Sequence, residues 1–284
     1  MPHTDTSDVL DDGDHLREHG YVFLRGVFSQ DECEQLASVV DDLVQFAETG
    51  AQDPFERYYM RHRPDHGVLY DLYQRHPAFR PFAERARILD VAATHLGDDI
   101  LLYENSAIYK PRGARNEVPW HQDFINRPHE AKKLICWMAL DDVTVDNGAI
   151  HAIPGSHKRG FLPFHQVPGE THHTRVNLDQ VDVDQAVPLE MKRGDVLLFQ
   201  QLLLHSSKRV SGDVPRRAYR VAYQGFDDIF APRATPLVVR GGDGANLRRR
   251  FQQPRETPVA PRHRKRDFPK RVLRFVGRKL SELE

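Results

Sequence analysis

What most restricts the fold of this chain is a change of rhythm at about residue 100. Beyond that point the apolar runs are short, and clusters of turn-forming residues separate them. The clearest runs are Leu101 to Tyr109, Leu134 to Leu140, Ala149 to Ile153, Val196 to Gln200 and Ala218 to Phe226. Between them stand Asp146-Asn147-Gly148, Pro154-Gly155-Ser156, Arg193-Gly194-Asp195 and Ser211-Gly212-Asp213, all rich in residues that accept turn dihedrals. Many short strands punctuated in this way point to a β-sandwich or barrel. No internal repeat and no low-complexity segment competes with that reading.

The first hundred residues are helical in character. Residues 1–13 are polar and acidic without periodicity, and are expected to lack regular structure. Tyr21-Val22-Phe23-Leu24 reads as a short strand after a helical turn containing Leu16. Ser29-Gln30-Asp31-Glu32 has the form of a capping box, so a helix should begin at about Gln30, its apolar face carried by Leu36, Val39, Val40, Leu43 and Phe46. A second helix is expected from Ile88 to Leu96, ending at Gly97. The organisation is then one domain over residues 14–240 and a basic tail over 241–284. Within the tail, Arg271 to Glu284 sets Val272, Leu273, Phe275, Val276 and Leu280 among lysines and arginines, as an amphipathic helix would. Such a helix can touch an acidic membrane, pack on its own domain or meet a second subunit.

A formal net charge of −1 argues against a chain built to bind nucleic acid. Cys33 and Cys136 are far apart, which argues against a disulfide framework and for a reducing, cytoplasmic setting. No signal-peptide pattern opens the sequence, and no apolar run has the length of a membrane span.

Three segments carry chemistry. In Trp120-His121-Gln122-Asp123, strand alternation would put His121 and Asp123 on one face, an imidazole beside a carboxylate. These are two of the three ligands of a 2-His-1-carboxylate triad, which leaves adjacent positions open on ferrous iron. His205 ends the apolar run Leu202-Leu203-Leu204. A lone histidine there is usually a hydrogen-bonded core residue, unless other ligands converge on it. Arg216 follows eleven residues later, a separation suited to a hairpin returning beside a metal; on a regular strand it shares a face with Arg220, and Arg217 faces away. Its guanidinium suits the distal carboxylate of 2-oxoglutarate, although three solvated arginines on an edge strand would give the same pattern.

From Gly20 to Phe226 the sequence resembles the phytanoyl-CoA dioxygenase family of Fe(II)/2-oxoglutarate oxygenases. The resemblance rests on Glu18-His19-Gly20-Tyr21-Val22-Phe23-Leu24-Arg25-Gly26-Val27, on Lys110-Pro111 with Trp120-His121-Gln122-Asp123, and on Trp137 to Thr144. Asp146-Asn147-Gly148, Ile153-Pro154-Gly155-Ser156-His157, His205 with Ser207, and Arg216-Arg217-Ala218 complete it in order and spacing. It implies a double-stranded β-helix (jelly-roll) with flanking helices. It also implies His121, Asp123 and His205 as iron ligands and Arg216 on 2-oxoglutarate, with Ser207 and Trp137 lining the co-substrate pocket. Iron, 2-oxoglutarate and dioxygen would together oxidise a small molecule. A carboxylate at position 123 implies hydroxylation, or another oxidation, in place of the halogenation that related enzymes with a small residue there perform.

Tyr109, Trp120, Phe124 and Arg127 lie near the metal segment and are candidates for the substrate pocket, though core packing explains the aromatics as well. His151, His157, His165, His172 and His173 are spaced too irregularly for a second metal site, and His157 reads as structural. Arg112, Arg115, Arg127 and Lys132 would attract an anion, or simply be solvated. The expected activity is hydroxylation in natural-product tailoring, by a monomer or homodimer. A binding protein that keeps the fold without turnover, and a metal-dependent hydrolase, are the rival readings.

Overall fold

The computed structural model describes residues 6–50, 68–110, 117–128, 130–170, 174–179, 181–210, 216–226 and 237–240. The basic tail and its expected helix at Arg271 to Glu284 lie outside them, as do Arg112, Arg115, His172 and His173.

Helix α1 (Thr6–His19) leads into β1 (Tyr21–Leu24). The acidic stretch expected to lack regular structure is therefore helical from Thr6 onward. The reason is tertiary: Leu16 is buried in the core, and Asp12 pairs with Arg87. Helix α2 (Gln30–Gln45) starts where the capping box places it. The Glu32 amide donates to Ser29 Oγ (3.2 Å), and the Ser29 amide donates to Glu32 Oε2 (2.8 Å). Its buried face is Cys33, Leu36, Ala37 and Val40, whereas Phe46, at the C-cap, is exposed. Helix α3 (Ala86–Leu96) ends at Gly97, whose φ of 87° is the left-handed value that stops helices.

The strands form two principal sheets. The larger has the order β1–β10–β5–β12–β3–β13, with β2 also on β3; the smaller has the order β4–β11–β6–β9. In the larger sheet, β2 is Val68–Tyr70, β3 Ile100–Lys110, β5 Lys133–Ala139, β10 Val196–Gln200, β12 Arg216–Gly225 and β13 Leu237–Arg240. In the smaller, β4 is Val118–His121, β6 Ile150–Ala152, β9 Val187–Leu189 and β11 His205–Ser207. A separate hairpin pairs β7 (Phe164–Gln166) with β8 (Thr174–Val176). The pairings of the two principal sheets are antiparallel.

Strand β5 is buried along its whole length because both of its faces are covered. Leu134, Cys136 and Met138 pack in the cluster shared with the helices. Ile135, Trp137 and Ala139 pack in a second cluster with Ile150, Ala152 and Leu189 of the smaller sheet. This two-layer β core with helices on one face is the jelly-roll expected from the sequence. The short β2, β7, β8, β9 and β13 are too brief or too polar to stand out in one dimension. Among the described residues no helix is long and apolar enough to cross a membrane.

Candidate metal and co-substrate site

A cavity of about 410 Å³ opens on the inner face of the larger sheet, against β4 and β11. Three potential metal ligands meet in it. His121 ends β4 and His205 begins β11, and the antiparallel register sets these two residues opposite each other. Their rings lie 4.2 Å apart between centroids. Asp123 completes the group, with one ligand atom from each residue lying within 4.8 Å of the others. Strand alternation is not what brings Asp123 there, because β4 stops at His121. The chain turns instead. Phe124 takes a left-handed φ of 56°, and Gln122 is buried with its amide donating to the carbonyls of Gly160 (2.9 Å) and Leu202 (2.7 Å).

Both histidines present the same atom to the centre. Nδ1 of His121 bonds the Pro119 carbonyl, and Nδ1 of His205 bonds the Leu203 carbonyl, each at 2.9 Å. A carbonyl can only accept, so Nδ1 carries the proton and the Nε2 lone pair is free for a cation. Burial, with the His121 charge second, holds His205 down at about 3, so its imidazole is neutral at ordinary pH. Burial alone would raise the Asp123 carboxyl, but Arg220 and the two histidines outweigh it and bring it to about 2. Two imidazoles and a carboxylate converge, a donor set that suits divalent iron and leaves its other positions open.

The cavity continues to Arg216. This arginine is 2% exposed, and burial pulls it down to about 9. Its Nη1 donates to the Gly148 carbonyl, its guanidinium lies 4.8 Å over Trp137, and its Nε has no partner among the described residues. Beside it in the register is Lys110, 3% exposed, donating to Ser207 Oγ (2.9 Å) and the Lys208 carbonyl (3.0 Å). Burial, then the neighbouring Arg216 charge, brings Lys110 down to about 6. Gly148 has to be glycine here: at φ 84° a Cβ would stand 2.7 Å from the Lys208 carbonyl and 3.2 Å from Lys110 Nζ. Among the described residues no carboxylate forms an ion pair with Arg216 or Lys110. A buried guanidinium without a counter-ion costs several kcal/mol, roughly, and an anion placed beside it would also favour protonation of Lys110.

The expected site residues thus separate into two groups. His121, Asp123, His205, Arg216, Ser207, Trp137, Phe124 and Arg127 all line this cavity. Tyr109 and Trp120 do not. Alternation along β3 turns Glu104, Ser106, Ile108 and Lys110 inward, and Tyr109, opposite Arg217, faces the other way. Trp120 packs against the Ile153, Leu162 and Leu204 cluster. Nor do His205 and Arg216 share a hairpin: β11 belongs to the smaller sheet and β12 to the larger, so the chain crosses between sheets. His157 is structural, with Nε2 on the Arg17 carbonyl at 3.0 Å.

Lys110, Glu104 and Arg220 line the same cavity, and sequence reasoning did not assign them to it. The i, i+4 spacing of Arg216 and Arg220 on one face was the available signal for Arg220. Arg220 Nη1 donates to Glu104 Oε1 (2.8 Å), and Nη2 lies 3.1 Å from Asp123 Oδ2. Burial alone would lower its pKa, but these two carboxylates drive it above the ordinary arginine value. The cavity wall on this side is Phe124, with Arg127 at 5.6 Å and Arg220 at 5.7 Å from its ring centroid.

The sequence profile of the phytanoyl-CoA dioxygenase (PhyH) family matches residues 16–218. An ectoine dioxygenase from Sphingopyxis alaskensis is 26% identical over 250 residues, which cover 80% of this chain and 81% of its own. Phytanoyl-CoA dioxygenase 1 from Oryza sativa subsp. japonica is 32% identical over 156 residues, covering 53% of this chain and 54% of its own. Among solved structures, EvdO2 from Micromonospora carbonacea var. aurantiaca complexed with 2-oxoglutarate is 24% identical. It superposes with a TM-score of 0.65 over 86% of this chain and 96% of its own, a likeness of fold.

Proposed function

This chain belongs to the phytanoyl-CoA dioxygenase family and is an Fe(II)/2-oxoglutarate-dependent dioxygenase, and we propose that His121, Asp123 and His205 hold its iron. Arg216 and Lys110 receive the distal carboxylate of 2-oxoglutarate, Ser207 steadies Lys110, and Trp137 supports the guanidinium from below. The observation that carries this reading is Arg216 itself. A fully buried arginine with, among the described residues, an unpartnered Nε and no carboxylate, in the same cavity as the His-Asp-His group, calls for a small dianion placed beside a cation.

With iron and 2-oxoglutarate bound, dioxygen oxidises a substrate C–H bond while 2-oxoglutarate leaves as succinate and carbon dioxide. The chain's own residues do the rest. The histidine tautomers are fixed by backbone carbonyls, Arg216 and Lys110 orient the co-substrate, and Ile108, Phe124 and Ile125 line the cavity with apolar surface that excludes water. A cavity of about 410 Å³, shared with the co-substrate, suits a small molecule. Its wall mixes those apolar groups with Ser106, Asn126 and Arg127, as an oxygenated metabolite would require. The role we favour is hydroxylation in natural-product tailoring. A hydrolytic metal site would leave Arg216 and Lys110 without a use.

The test is anaerobic titration of the protein with Fe(II) and 2-oxoglutarate. A weak visible metal-to-ligand charge-transfer band should appear, vanish in His121→Ala and need more 2-oxoglutarate in Arg216→Ala. Its absence from folded wild-type protein would overturn the assignment.

A further inference from the structure

The two oxygens of Asp123 face different partners. Oδ1 lies 3.9 Å from His121 Nε2, on the side where the histidine lone pairs converge. Oδ2 lies 3.1 Å from Arg220 Nη2, an ion pair without an aligned hydrogen bond. The guanidinium is not free to drift, because its other arm, Nη1, donates to Glu104 Oε1 at 2.8 Å. Both residues that hold this bridge sit on paired strands: Arg220 stands opposite Ser106 of β3 and Trp137 of β5, and Glu104 is two residues from Ser106 on the same inward face. Arg220 has a side chain only 12% exposed, and Asp123 only 15%. A planar, largely enclosed fork therefore stands between two carboxylates.

We propose that Arg220, anchored by Glu104, is a positioning residue that restricts Asp123 to a single coordinating oxygen. The inference rests on the assignment of His121, Asp123 and His205 as the metal site. A carboxylate can bind a metal through one oxygen or through both. The iron of a facial triad keeps three positions beyond its protein ligands, two for a chelating keto acid and one for dioxygen. A second oxygen from Asp123 would take the last of them. By pairing with Oδ2, Arg220 would keep that position open and hold the plane of the carboxylate once iron is bound. Arginine is suited to this because its two amino groups point along separate directions from one rigid plane, so one can hold Glu104 while the other holds Asp123. A lysine at 220 would offer one point of charge and could serve only one of the two.

The test uses Co(II) as the probe, with affinity read by competition against a chromogenic chelator and coordination read from its visible spectrum. Arg220→Gln should bind Co(II) about tenfold more weakly, with a spectrum altered in band position and intensity. Arg220→Lys should recover part of the affinity and not the wild-type spectrum. Glu104→Gln, which leaves the guanidinium present with a weaker anchor, should fall between wild type and Arg220→Gln, and it carries the test alone if Arg220→Gln does not fold. Wild-type affinity and spectrum in Arg220→Gln, or in Glu104→Gln where that variant stands alone, overturn this proposal only. Failure of the wild type to bind Co(II) overturns the metal assignment, and this proposal with it.

Discussion

Asp141 holds Arg217 by three hydrogen bonds, and in doing so sets the position of the residue beside it. The Arg217 amide and Nε donate to Asp141 Oδ2, each at 2.9 Å, and Nη2 donates to Oδ1 at 2.8 Å. Asp141 is 5% exposed, and its charge, with that of Asp41, raises the Arg217 pKa. Alternation then turns Arg216 to the opposite, inner face. Removing the charge should loosen the start of β12 as a unit. Asp141→Asn is expected to lower stability by ~2–3 kcal/mol, measured as a shift in urea midpoint at unchanged m, and to weaken 2-oxoglutarate binding although Asp141 is outside the cavity. A stability loss with unaltered 2-oxoglutarate affinity would separate the clamp from the site.

Arg216→Lys preserves the charge and loses the fork. Lysine can neutralise a carboxylate as a point charge but cannot span two oxygens or stack flat on Trp137. The concentration of 2-oxoglutarate giving half-maximal charge-transfer absorbance should rise roughly 10- to 100-fold, equivalent to ~1.4–2.8 kcal/mol. Affinity for metal alone should stay near wild type.

Lys110 gives a pH signature in the protein without metal or co-substrate. Its folded value is brought down to about 6 from an ordinary 10.5 by burial and by Arg216. Between those limits the unfolded chain holds a proton that the folded chain has released, so stability rises with pH across the window. Below it both states are protonated, and the folded protein carries the full penalty of a buried charge. Lys110→Met should thus stabilise the protein, by more at pH 6 than at pH 9, when urea midpoints are compared at each pH. A pH-independent difference would mean that Lys110 stays charged when buried.

Gly194 joins the turn before β10 to the segment before α2. At φ 90° its added Cβ would stand 2.2 Å from the Phe28 carbonyl oxygen, and the Phe28 amide donates to the Gly194 carbonyl at 3.1 Å. Because the obstacle is backbone, it cannot rotate away. Gly194→Ala is expected to cost ~2–4 kcal/mol from strain and steric displacement, seen as a lower melting temperature. Gly97→Ala, whose Cβ would meet nothing within 4 Å, should cost ~1–3 kcal/mol from its backbone alone, because φ 87° with ψ 173° is a region nearly reserved for glycine.

The sequence by itself determined what local chemistry can encode. Ser29 and Glu32 cap α2 wherever the rest of the chain lies, Gly97 ends α3, and the short apolar runs between turn residues mark β5, β10 and β12 as strands. The spacing His121-x-Asp123 keeps two ligands together under any backbone path, so the candidate metal site was legible even though the expected reason, a continuous strand, was replaced by a turn at Phe124. Of helix α1 only the turn around Leu16 was legible, because the order of the segment from Thr6 comes from docking Leu16 and pairing Asp12 with Arg87, contacts that composition does not report. Only the tertiary structure set His205 opposite His121, Lys110 opposite Arg216, and Arg220 between Asp123 and Glu104. It alone also turned Tyr109 and Trp120 away from the cavity. These relations depend on which strands pair and in what register. That choice is made by burial summed over both sheets, where a shift of one residue would send every inward side chain to the opposite face.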